Sequence, residues 1–175
     1  MIRLLVLMAF SSVASAGVSY AWWVDAEFPV SGTEVLGVPV QEIDSSWVKA
    51  RALAMSDVPE DTGDDMVRWQ MQEYDLHFSL SDDLDDDGDI EQAAVVIYEA
   101  EDGQQGTGVV VFGPKGSVEL SWTARTDKAG FGVIWKTEKG FSFAYCLECG
   151  DLVDFERQGK DHYMIVVPEP YGWIQ

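Results

Sequence analysis

The chain has 175 residues, of which 11 are basic and 31 acidic, giving a formal net charge of −20. That surplus repels nucleic acid and anionic membranes and favours cations or a basic protein partner. The length fits one domain with a sizeable core, and no G-x-S-x-G or H-E-x-x-H motif occurs anywhere in the sequence.

The first residues, MIRLLVLMAFSSVASAG, carry Arg3, an apolar run from Ile2 to Phe10, and Ala14 and Ala16 in the A-x-A pattern of a signal-peptidase site. They predict a signal peptide over residues 1–16 and a single β-rich domain over residues 17–175. The apolar run falls short of the roughly 20 residues a spanning helix needs, so no membrane span is expected and the product is placed in the periplasm or secreted. Residues 17–39 mix Trp22, Trp23, Phe28 and Pro29 with Gly32 and Gly37, a pattern of extended segments and turns. In IDSSWVKARALAMSDVPED, Asp44 or Ser45 can cap, and Trp47, Val48, Ala50, Leu53 and Ala54 recur at near-helical spacing before Pro59. The pattern predicts one short N-terminal helix from Ser45 to Ser56, then a polar loop from Pro59 to Asp65.

From Met66 onward the pattern is of strands. Val67, Trp69 and Met71 alternate, and Tyr74, Leu76, Phe78 and Leu80 alternate in the opposite phase, which suggests a β-bulge near Gln72 and Glu73. After an acidic loop come AAVVIYEA, GVVVFG, SVELSWTA, FGVIWK, GFSFAY, DLVDFER and YMIVVP, separated by short links rich in Gly, Asp and Lys. Eight successive strands without an intervening helix predict a mainly β fold, an antiparallel meander forming a barrel or sandwich. Trp122, Phe131, Trp135, Phe141, Phe143 and Tyr145 lie inside those strands and are expected to pack its core.

The acidic loop is DDLDDDGDIEQ, residues 82–92. Aligned on its glycine it reads D-x-D-x-D-G-x-x-E from Asp83 to Glu91. Alternate aspartates Asp83, Asp85 and Asp87 send carboxylates toward one point, Gly88 allows a sharp turn, and the Asp89 carbonyl can add an oxygen. An oxygen-only, flexible loop suits Ca²⁺ better than Mg²⁺, which demands a stricter octahedron. The spacing departs from an EF-hand at the twelfth position, where a bidentate Glu is required and Ala94 stands. The loop more closely resembles the β-hairpin calcium loops of FG-GAP repeats in integrin α-subunits and of VCBS-type repeats in bacterial exported proteins. The resemblance spans about a dozen residues and does not extend to the whole fold. It implies side-chain ligands from Asp83, Asp85, Asp87 and Glu91 and a carbonyl from Asp89, with Asp82 and Asp86 adding only charge.

Cys146 and Cys149 form a C-x-x-C after a predicted strand, where a structural disulfide across a turn is the simplest expectation in an exported chain. A zinc site would need two more ligands, of which His162 is one candidate. His77 sits in a strand whose apolar face lies on the other side, so it should face solvent or the opposite layer. No catalytic residue is assigned. The sequence leaves open a non-enzymatic exported calcium-binding module, an envelope inhibitor or immunity protein set against a toxin or hydrolase, and a polysaccharide hydrolase using paired carboxylates.

Overall fold

The computed structural model describes residues 22–59, 66–124, 127–145, 152–158 and 163–167. The predicted signal peptide, Cys146, Cys149 and His162 lie outside the described residues. A short helix α1 (Trp22–Asp25) precedes a two-stranded hairpin, β1 (Glu34–Val35) and β2 (Val38–Pro39), and one turn of helix α2 (Val40–Ile43). Strand β3 (Trp47–Ala52) follows, then helix α3 (Met66–Glu73) and strand β4 (Ser79–Asp82). The remaining strands are β5 (Glu91–Ala100), β6 (Gln105–Phe112), β7 (Val118–Ala124), β8 (Val133–Thr137), β9 (Gly140–Ala144), β10 (Leu152–Arg157) and β11 (Tyr163–Val166).

The fold is mainly β, as the sequence pattern predicts, and is sandwich-like; no closed barrel forms among the described residues. One sheet has the order β3-β5-β6-β7, and a second runs β11-β10-β9-β8 as a simple meander. Strand β4 lies end to end with β3 along the same edge of β5. Ser79 to Asp82 pair with Ala94 to Glu91, and β3 pairs with Val96 to Ala100. The handover falls at Val95, whose N–H donates to the Phe78 carbonyl at 2.8 Å while its own carbonyl accepts from Leu53 N–H at 2.9 Å. One residue before Phe78, His77 exchanges both backbone hydrogen bonds with Ile134 of β8 at 2.8 Å, so this segment stitches the two sheets together.

Strands β5 and β6 are buried on both faces, which explains why their sequences are nearly continuous apolar runs with little alternation. Ala93, Val95, Ile97, Val109 and Val111 face the second sheet and meet Phe141, Phe143, Val153 and Phe155. Ala94, Val96, Tyr98, Val110 and Phe112 face the other way, under Val35, Val38, Val40, Ile43 and Trp47. The β1–β2 hairpin that supplies this cover turns through Leu36 and Gly37, both with positive φ (51° and 85°), the geometry whose twist suits a two-residue hairpin. Trp47 stacks on Tyr98 with ring centroids 4.6 Å apart.

Two expected elements are corrected. The helix predicted from Ser45 to Ser56 is strand β3. A register shift between Trp47 and Lys49 puts Trp47 and Ala50 in the same core cluster, so a bulged strand reproduces helical spacing. The strand predicted around Val67, Trp69 and Met71, with its bulge at Gln72 and Glu73, is instead helix α3. Met, Arg, Gln and Glu are good helix formers, and the apparent alternation misleads because Trp69 is half exposed while Met71 is buried.

Thr107 on β6 is buried and holds the approach to β8. Its hydroxyl accepts from Gly130 N–H and donates to the Gly130 carbonyl, both at 2.9 Å. Thr107→Val keeps the shape and orphans both backbone groups, so it should destabilise the protein by about 2 to 4 kcal/mol in chemical denaturation, the cost of two buried unsatisfied groups. A loss below about 0.5 kcal/mol would mean that the Gly130 groups find other partners.

Candidate metal centre

Asp82 at the end of β4 and Glu91 at the start of β5 are register partners, so residues 83–90 form the loop of an antiparallel hairpin. Aspartates fold that loop because their short carboxylates reach backbone N–H groups two to five residues on. Asp83 accepts from Asp87 N–H at 3.0 Å and from Gly88 N–H at 3.1 Å. Asp85 accepts from Asp87 N–H at 3.1 Å, and Asp87 from Asp89 N–H at 2.7 Å. Gly88 has φ 95°, and an added Cβ would meet nothing within 4 Å, so the left-handed backbone rather than lack of space calls for glycine.

Leu84 is the pivot. Its side chain is buried in the core between the sheets, and its N–H donates to Glu91 Oε2 at 2.7 Å. With Leu84 pulled inward, the flanking Asp83 and Asp85 are drawn toward Glu91. Carboxylate oxygens of Asp83, Asp85 and Glu91 lie within 4.8 Å of one another, a group that can hold a metal ion. Asp85 is 5% exposed and Glu91 only 2%.

Of the five residues the sequence singles out, these three form the group. Asp87 and Asp89 lie in the same loop but outside it; one oxygen of Asp87 is turned onto the Asp89 N–H, and Asp89 is exposed. Ala94, at the EF-hand's twelfth position, is buried on the opposite face of β5 from Glu91, in the core beneath Val35 and Trp47. In a strand, residues three apart point to opposite faces, so a ninth-position acid can close a loop that runs straight into a strand.

The electrostatics follow from burial. Desolvation raises the Glu91 carboxyl above its ordinary value, and the charges of Asp85, Asp87 and Asp83 add to that effect against the opposing Leu84 N–H. The Tyr163 phenol is raised well above its ordinary value by burial and then by Glu91, Asp85, Glu119 and Asp83. The hydrogen bond from Lys136 holds Asp82 below the usual carboxylate range.

Three residues that the sequence reading passed over surround the loop from the second sheet. Lys136 of β8 pairs with Asp82, and Arg157 of β10 pairs with Asp86 at 2.6 Å. Asp82 and Asp86, expected only to add charge, moor the loop at its start and at its middle. Both pairs are substantially exposed, so their contribution is to position the loop. Tyr163 of β11 is the register partner of Arg157. His77 pairs with Asp75 at 2.8 Å and its side chain is partly exposed, as expected.

Among the described residues the surface clefts include two shallow ones. One, of about 250 Å³, adjoins the acidic group and is lined by Leu36, Ser81, Ile90, Glu91, Gln92 and Lys115. The other, of about 400 Å³, is lined by Trp47, Tyr98, Asp44, Glu101 and Asp102. Two of its carboxylates are already employed locally, Asp44 on Ser46 and Asp102 on the Gln104 N–H. No protein-family model, curated protein or solved structure matches this chain.

The raised Glu91 value has a signed consequence. A carboxyl whose folded value exceeds its ordinary 4.5 retains a proton on folding, so its contribution is fully present below about 4.5 and is lost as pH rises through the folded value. In chelator the protein should therefore lose stability relative to Glu91→Gln as pH rises from about 4.5 toward neutrality. The measurement is the difference in melting temperature between the two proteins across that range. A constant difference would contradict a burial-raised Glu91.

Proposed function

We propose that this chain is an exported, non-enzymatic β-domain that binds a calcium ion at the β4–β5 hairpin. The observation that carries the reading is the convergence of Asp83, Asp85 and Glu91 oxygens within 4.8 Å around a loop whose fourth acid, Asp87, is adjacent. Crowding carboxylates around a buried Glu91 is costly unless a cation offsets them. The donor set is oxygen only, which selects a hard cation. Calcium takes roughly six to eight oxygens in loose geometry, and carboxylates, loop carbonyls and water can supply them; magnesium requires a tighter octahedron. Outside the cytoplasm an affinity of about 10⁻⁴ to 10⁻³ M suffices.

The ion's role is structural. It fixes the turn that begins the central strand and holds it against Lys136 and Arg157 of the other sheet. A net charge of −20 then leaves a strongly acidic surface suited to a basic partner, and an inhibitor or immunity role in the cell envelope follows that chemistry. A polysaccharide hydrolase is the poorer reading. Glu91 lines the smaller cleft but is only 2% exposed, and a glycosidase needs two carboxylates flanking a bond that substrate can reach.

Calorimetric titration of the purified protein with Ca²⁺ tests the proposal. Calcium at about 100 times its dissociation constant should add about 2.7 kcal/mol of stability, and Mg²⁺ at equal concentration far less. The double variant Asp83→Asn with Asp85→Asn should lose both the heat of binding and the calcium-dependent rise in melting temperature. Absence of both signals in the parent protein at about 10 mM calcium, well above extracellular-type affinities, would remove the proposal.

A further inference from the structure

The metal centre has a wall contributed from far along the chain. Tyr163 stands beside Arg157 in the β10–β11 pairing, and Arg157 reaches Asp86, so the register places Tyr163 next to a residue that touches the loop. The ring packs edge-on against Phe141 at 5.7 Å, which fixes its direction. Its hydroxyl oxygen is fully buried and has no hydrogen-bond partner among the described residues. A buried phenol without a partner is costly, and such groups are rare in folded proteins. The charges that act on this one are all acidic: Glu91, Asp85, Glu119 and Asp83. Three of those four form the metal group.

We infer that Tyr163 is a positioning residue of the calcium centre, its hydroxyl hydrogen-bonding a water ligand of the bound ion. The inference rests on the calcium reading above. A neutral phenol is a poor direct ligand for calcium but a good donor and acceptor, and ion-bound water both fills the coordination shell and satisfies the phenol. Groups that orient ligands from just outside the coordination shell commonly govern affinity by about 10- to 100-fold. Tyr163 would thereby make the second sheet part of the site.

The experiment compares parent and Tyr163→Phe proteins by calcium calorimetry and by thermal melting in calcium and in chelator. Tyr163→Phe should bind calcium about tenfold more weakly, the low end of the range for such residues. In chelator it should melt at the parent temperature or higher, because the substitution removes only an unpartnered buried hydroxyl. Equal calcium affinity in the two proteins overturns the role of Tyr163 while leaving the metal centre intact. A drop in melting temperature of the same size in chelator and in calcium also overturns it, marking Tyr163 as a packing residue. No calcium binding by the parent overturns the metal centre and this inference together.

Discussion

Glu91 opens the strand on which both cores are built, and its carboxylate is buried at that point. A buried charge must be neutralised by a proton, a cation or a dense set of donors. Among the described residues its protein donor is the Leu84 N–H at 2.7 Å, while the charges that act on it are the like-signed carboxylates of Asp85, Asp87 and Asp83. The hairpin loop is therefore set up with its charge unbalanced. A proton corrects this at low pH; a divalent cation would do so at neutral pH, competing for the same oxygens.

The consequences extend through β5. That strand carries the inter-sheet core on one face and the core under the N-terminal hairpin on the other. It also accepts two different strands along one edge, β3 beside its C-terminal half and β4 beside its N-terminal half. A one-residue slip would exchange Ala93, Val95 and Ile97 with Ala94, Val96 and Tyr98 and would turn Glu91 away from Asp83 and Asp85. Register at the loop and register in the cores are thus one constraint. Leu84 joins them physically, since the residue whose backbone meets Glu91 also fills the core with its side chain.

Strands from β5 to β11 were legible because hairpin-linked strands bound by Gly- and Asp-rich turns carry their signal locally. The convergence of Asp83, Asp85 and Glu91 was legible for a related reason: the spacing of acids around Gly88 is a local property. What misled was local spacing altered by a distant partner. Trp47 and Ala50 read as a helix because the shift against β5 restores them to one face, and that shift is visible only once β5 is in place. Helix α3 was hidden by two apolar residues at strand spacing, Trp69 and Met71, of which only Met71 turns out to be buried. Lys136, Arg157 and Tyr163 gave no sequence signal as neighbours of the loop, because their approach depends on how two sheets stack. Leu84 did give one: a lone apolar residue between aspartates in an otherwise charged run is a candidate for insertion into a core.

That division between local and distant contributions bears on when the centre forms. The carboxylates lie within nine residues of one another and can meet in an isolated hairpin, but the depth of Glu91 is created only when the second sheet covers Leu84, Val95 and Ile97. Before docking, a cation competes with free water for exposed carboxylates, a weak association typical of surface acids. After docking, the carboxylates are partly desolvated and their attraction for a cation is stronger because the local dielectric is lower. Any ion affinity of the group is therefore a property of the assembled sandwich, and by linkage an ion bound there would stabilise the stacking of the sheets as much as the hairpin.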